Sequence, residues 1–200
     1  MFALVDKSDN SITRMLNGNR GITLGDNQYP RAIYTLWTEA ERNAINIYTV
    51  TIDTSKRKDE KWYINTNITY SFDGTNATGS YGDATAKPHA DANATDDDGV
   101  DLDPVIVIEG LKTVLIRQVK AQAEGELNRT DWYISRKAEK NTAIPSAITT
   151  HRDAVRSKQA SMCTAITNAS DTLALETLYA YTTNDSGVTS RPLGEIPTLE

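Results

Sequence analysis

Cysteine occurs once, at Cys163, which rules out an internal disulfide framework and any cysteine-rich metal site. Its neighbours Ala160, Met162 and Ile166 mark it as partly buried filler. Histidine occurs twice, at His89 and His151, with no second histidine within helical reach, so zinc-protease spacing is absent. His151 sits beside Arg152 and Asp153, near a helix start, on a face expected to be solvated. Basic excess is missing too: the net charge of −6 offers no stripe for nucleic acid. The longest apolar runs, residues 1–5 and 105–108, are far too short to span a bilayer. The opening MFALVDKSDN lacks a basic start and a long apolar stretch, so no secretory signal and synthesis in a cytoplasm are expected. NGNRG (residues 17–21) has the glycines of a turn, but no GxGxxG, GxxxxGK[ST] or GxSxG pattern occurs. The carboxylate pairs Glu39/Glu41 and Asp59/Glu60 lie in charged, solvated runs. No catalytic residue, metal ligand or cofactor is called for, and the expectation is a protein that is not an enzyme.

Two hundred residues suffice for one larger domain or two small ones, and 38% apolar content is enough for a core. The first part reads as strand. Residues 1–5 and 12–16 flank the polar turn KSDNS as a hairpin. Thr38 with Glu41 three residues on is a capping box for a short helix. Residues 47–52 form a β-branched strand. Alternation then places Trp62, Ile64, Thr66, Ile68, Tyr70 and Phe72 on one face, closed by the turn Asp73-Gly74. An antiparallel sheet with one wet face is expected.

Residues 83–103, DATAKPHADANATDDDGVDLD, hold seven aspartates and little that could enter a core, which predicts a solvated linker. As a calcium loop the stretch fails: with Gly99 at the required glycine, Ala94 and Val105 stand where acids belong. The remainder reads as helix. Leu111, Val114, Leu115, Val119 and Leu127 give one amphipathic helix that could begin at Pro104. Pro145 then opens a long helix whose narrow seam is Ile148, Val155, Met162, Ile166 and Ala169. Residues 173–181 form a short last helix. The tail after it lacks periodicity and is expected to be disordered or an arm ordered by a partner. The fold class is thus α+β: a small antiparallel β-rich module (1–82), an acidic linker (83–103), a helical hairpin or small bundle (104–181) and an extended arm (182–200).

Between the two long helices lies TDWYISRKAEKNTAIP, residues 130–145. Asp131 suits a helix cap, while Trp132 and Tyr133 point about 100° apart and cannot both face one core. A capped corner with aromatic packing is expected, in which Trp132→Ala costs about 3 kcal/mol. The functional alternative is an anchor for a partner chain.

From LKTVLIRQ through TDW and the proline loop to HRDAVRSK, the chain resembles the C-terminal region of tail-fibre-assembly-like and tail structural proteins of bacteriophages, including marine cyanophages. The matching positions are Thr130, Asp131 and Trp132, then Pro145, then Arg152, Ala154, Val155 and Arg156, with His151 where an aromatic usually stands. MFALV, Tyr29-Pro30 and Tyr48-Thr49-Val50 match in outline. The resemblance implies a non-enzymatic virion protein of the tail, made in the host cytoplasm. Its partners would be other tail or fibre proteins, in a homo- or hetero-oligomer, with neither nucleic acid nor membrane. Trp132, Tyr133, Ile148, Val155, Met162 and Ile166 would meet those partners. The alternatives are a fibre-assembly chaperone absent from the particle, or a glycan- or small-ligand-binding module using Trp62, Tyr63 and Tyr70.

Overall fold

The computed structural model describes residues 1–199. The chain is mixed α and β, with a β-rich N-terminal region and helices towards the C-terminus. It divides into two compact units, Met1–Thr85 and Ala86–Glu200.

In the first unit, β1 (Phe2–Asp6) and β2 (Ser11–Leu16) form the expected hairpin. A second hairpin joins β3 (Ile22–Leu24) to β4 (Asn27–Tyr29), and the short helices α1 (Ile33–Leu36) and α2 (Glu39–Ala44) follow. The capping box is present: Glu41 N donates to Thr38 Oγ1, and Thr38 N donates to Glu41 Oε2 at 2.7 Å. Next come β5 (Ile47–Asp53), β6 (Tyr63–Ile64), β7 (Thr69–Phe72) and β8 (Ala77–Ser80), with β9 (Thr85–Ala86) at the unit boundary.

The main sheet has the order β2-β1-β5-β8-β7. It is not the purely antiparallel sheet expected, because β5 and β8 run parallel. The Asp73-Gly74 turn folds β8 back along β7, and β8 is slim enough to lie inside the sheet. A Cβ on Gly79 would come within 2.8 Å of both Ile52 Cδ1 and Tyr70 Cε1. Nor are residues 62–72 one strand. Asn65 accepts from Lys58 N at 2.9 Å and returns its amide to Lys58 O at 2.8 Å, tying the chain to the preceding turn instead of a ladder. Alternate residues along the strands build two cores. Ala3, Val5, Tyr48, Val50, Phe72 and Ala77 form one, while Ile47, Ile22, Ile33 and Tyr34 form the other, with Phe2 and Leu4 packed on it.

The second unit opens with β10 (Ala92–Asn93) and β11 (Val107–Ile108), paired antiparallel. Four helices follow: α3 (Leu111–Asn128), α4 (Asp131–Lys140), α5 (Ser146–Asn168) and α6 (Thr172–Tyr179). A small hairpin of β12 (Thr182–Thr183) and β13 (Thr189–Ser190) ends the regular structure. Helix α3 therefore starts at Leu111 and not near Pro104, and Pro145 stands one residue ahead of α5.

The aspartate-rich stretch expected as a linker belongs, from Ala86 onward, to this unit. Its backbone and one of its carboxylates complete the start of α3. Leu111 N and Lys112 N donate to Pro88 O and His89 O, each at 3.0 Å. Asp91 accepts from Gly110 N at 2.7 Å and from Thr113 Oγ1 at 2.8 Å. These bonds satisfy donors that a helix N-terminus leaves unpaired. The residues named DDDG instead make a tight turn, with Asp96 accepting from Asp98 N and Val100 N and Gly99 at φ +79°.

Helices α3 and α5 lie side by side. Lys112 Nζ donates to Thr167 O at one end, and Arg152 donates to Leu127 O at the other. Leu115, Val119 and Ala123 of α3 are buried, as are Ile148, Val155, Met162 and Ile166 of α5 and Leu175 of α6. The tail, expected as a free or partner-ordered arm, returns to its own unit: Leu193 is buried and Leu193 N donates to Leu178 O.

Ile166→Ala, at a position with 0% exposure, is expected to destabilise the second unit by about 3 kcal/mol in chemical denaturation. Leu173→Ala, on the outer side of α6 at 61% exposure, should stay within about 0.5 kcal/mol of the parent. Equal effects of the two would refute this assignment of the core.

Candidate functional site

Read with helical spacing, the buried stripe of α5 runs Ile148, Arg152, Val155, Met162, Ile166, with Gln159 at the intervening position. An arginine thus occupies a core position. Along α3 the same spacing runs Leu115, Val119, Ala123, Glu126 and on to Thr130, so a glutamate and a threonine also lie inside. These polar members of the two stripes meet where α3 ends and α4 begins.

Arg152 Nη1 is the centre of that junction. It donates to Leu127 O at 2.8 Å and to Thr130 Oγ1 at 2.7 Å, and lies 2.8 Å from Asp131 Oδ1. Thr130, only 1% exposed, donates its own hydroxyl to Leu127 O at 3.0 Å. Asp131 is therefore not the cap expected. Thr130 holds the cap position without a side-chain bond, and Asp131 is the first residue of α4, where its charge meets the guanidinium and the positive helix end.

Glu126, on the neighbouring turn, accepts from Leu199 N at 2.7 Å and from Arg129 Nη1 at 3.0 and 3.1 Å. The Leu199 amide holds its carboxyl below the ordinary value, helped by Arg129 and opposed by burial. His151 is drawn into the same cluster, contrary to the solvated face expected. Its side chain is 9% exposed, and Nε2 lies 3.2 Å from Glu126 Oε1 without the alignment of a hydrogen bond.

Above this junction Trp132 points outward, with the partly buried Tyr133 beside it. Trp132 is 51% exposed and Ile134 43% exposed, so the packed corner expected for Trp132 is not formed. Trp132 and Tyr133, the pair that could not share one core, instead stack on each other with ring centroids 3.7 Å apart and planes 31° apart. The Arg136 guanidinium covers both, 4.8 Å from the Trp132 centroid and 5.4 Å from that of Tyr133. Lys137 and Lys140 follow in the last turn, and Asn141 ends the helix in the left-handed region at φ 51°. Among the expected partner contacts, Trp132 and Tyr133 stand on this surface. Ile148, Val155, Met162 and Ile166 do not: α3 and α6 pack along α5, and these side chains are 0–7% exposed.

A second uncovered surface lies on the β10–β11 ribbon. Val105, Ile106, Val107 and Ile108 are each 54–58% exposed, and Val100 at the ribbon's tip is 61% exposed. Trp62 and Tyr63, proposed with Tyr70 as a glycan platform, are 3% and 7% exposed, so their faces are not available to a sugar.

Among the described residues, no group of three or more His, Cys, Asp or Glu is placed to hold a metal ion. No helix among them is long and apolar enough to cross a membrane. No family model matches the chain, and no curated protein or solved structure matches it.

The depressed Glu126 carboxyl has a predictable consequence for stability. A folded-state value below the unfolded one contributes stability that is complete above the unfolded value and lost as pH falls through the folded one. Glu126→Gln should therefore be less stable than the parent at pH 7, and the gap should close as pH drops below about 4.5. Urea titrations from pH 7 to pH 3 measure this, and a gap constant over that range would contradict the assignment.

Proposed function

We propose that the chain is a non-enzymatic structural protein of a bacteriophage tail, an adaptor that attaches tail or fibre subunits through its helical region. In this reading α3 and α5 form an antiparallel helical hairpin, and α4 is the element it presents. The observation that carries the reading is the exposed Trp132–Tyr133 stack under Arg136, on a helix whose first turn is pinned by Arg152. Trp, Tyr and Arg are the residue types that dominate binding energy at protein interfaces. The half-exposed Trp132 ring contributes little to the fold that holds it, so its placement favours a partner. The resemblance carried by TDW, the proline loop and HRDAVR supplies the class of partner: tail or fibre proteins in the virion, in a homo- or hetero-oligomer.

The apolar run of residues 105–108, which ends in β11, supports the same reading, since exposed β-branched side chains along an extended segment invite a neighbour's backbone or side chains. A fibre-assembly chaperone that leaves before the particle is complete would use the same surface, and it is the second reading.

Mass spectrometry of purified particles distinguishes the two: the adaptor is retained and the chaperone is not. Trp132→Ala is expected to change stability by less than about 1 kcal/mol, because the ring is half exposed, while removing the chain from particles. A variant that is incorporated at parental levels overturns the role given to Trp132. A variant that unfolds returns the ring to packing.

A further inference from the structure

The first unit contains a groove of about 700 Å³ that the adaptor reading does not use. It opens where the two edge strands of the sheet, β2 and β7, approach each other, with the NGNRG loop along one side. Arg14 and Met15 come from β2, Arg20 from the loop, Tyr34 from α1 and Tyr70 from β7. Among the described residues no carboxylate lines it, and neither Arg14 nor Arg20 has an ion-pair partner. Two guanidinium groups with no carboxylate beside them give this cavity a positive wall in a chain of net charge −6.

A second observation points the same way. The Tyr34 ring is largely buried, and its hydroxyl, at the groove, has no hydrogen-bond partner among the described residues. Burial raises its proton affinity and the charge of Arg14 opposes that, so the phenol and the guanidinium act on each other electrostatically. A phenol hydroxyl without a protein partner at a cavity wall can donate to or accept from a ligand. The loop is held close to this wall by glycine. Gly18 has φ +70°, and a Cβ there would stand 3.2 Å from the Phe2 ring and 3.3 Å from that of Tyr34. A Cβ on Gly21 would come within 2.5 Å of Tyr29 O. The glycines singled out as a turn therefore let the backbone lie against the aromatic floor and bring Arg20 to the rim.

We propose that this groove binds a sugar-sized ligand carrying an oxyanion, a carboxylate or a phosphate, held by Arg14 and Arg20 and by the Tyr34 hydroxyl. Guanidinium groups match the planar, paired oxygens of such groups. The volume is that of a small-ligand site, and the polar loop backbone with the Tyr70 ring suits a hydroxylated body. The proposal does not rest on the α4 surface.

Titration of the full chain with glucuronate, glucose 6-phosphate, inorganic phosphate and uncharged glucose, followed by amide NMR, tests it. One or both charged sugars should shift residues 14–23 and Tyr34, and the response of glucuronate against glucose 6-phosphate identifies the oxyanion. Arg14→Ala and Arg20→Ala, both at exposed positions and expected to fold normally, should each weaken binding at least tenfold, and Tyr34→Phe should weaken it less. Raised salt should weaken it as well. Binding of glucose as tight as that of the charged sugars, or binding unchanged in the double arginine variant, overturns the proposal. So does a response to inorganic phosphate alone, or no response to any of the four.

Discussion

The Arg152 guanidinium is buried between helices and must find its acceptors there, which fixes how α3 gives way to α4. Removing such a charge from water costs several kcal/mol unless its donors are met. Here Nε is left without a partner, and one nitrogen, Nη1, reaches the last carbonyl region of α3 at Leu127, the Thr130 hydroxyl in the turn and the Asp131 carboxylate at the start of α4. Three consecutive features of the chain are thereby referred to one atom of a helix that begins fifteen residues later. The direction in which α4 leaves the turn follows, and with it the outward facing of Trp132. Replacing Asp131 as cap by Asp131 as counter-charge changes the meaning of TDW: Thr and Asp serve the interior, and Trp serves the surface.

Acidic side chains play a similar part at the other end of α3. Composition alone makes residues 83–103 look like a spacer, since an aspartate cannot enter an apolar core unpaired. It can, however, accept from backbone amides, and a helix N-terminus offers several without partners. Asp91 takes that role from nineteen residues away in sequence, which no local capping pattern reveals. Its depressed carboxyl, caused first by the Gly110 amide, is the electrostatic mark of the same contact. Like Asp91, the other aspartates of the stretch are exposed, and Asp96 closes the turn that carries Asp97 and Asp98.

Local patterns were legible where the interaction that made the structure was itself local. The β1–β2 hairpin, the Thr38–Glu41 capping box and the Asp73-Gly74 turn are all contacts between residues near one another in sequence. The parallel pairing of β5 with β8 was not, because it depends on the small Ala77 and Gly79 lying beside a strand twenty-seven positions earlier in register. The break after Ile64 escaped for the same reason: Asn65 bonds a turn seven residues back. For the candidate site, period arguments found the apolar members of α5 and passed over the polar ones in the same stripe. Arg152 stands four residues after Ile148 and three before Val155, so its burial was available from spacing alone. What hid it was the assumption that charge marks the wet face. The exposure of Trp132 was hidden by the converse assumption about aromatics.

Rigidity is what connects the buried junction to the surface above it. An interface side chain gives up rotamer freedom when it binds, and a helix that must first be oriented gives up more. Helix α4 is short, ten residues, and too short to be stable by itself. Its first turn is held by Arg152, and its two rings are stacked and covered by Arg136 within the chain itself. Much of the ordering cost of an interface is therefore met by folding. The same stack leaves a large ring face in water, which folding by itself does not reward. A fold that spends a buried arginine to hold an exposed tryptophan in one orientation makes sense if something else covers that ring.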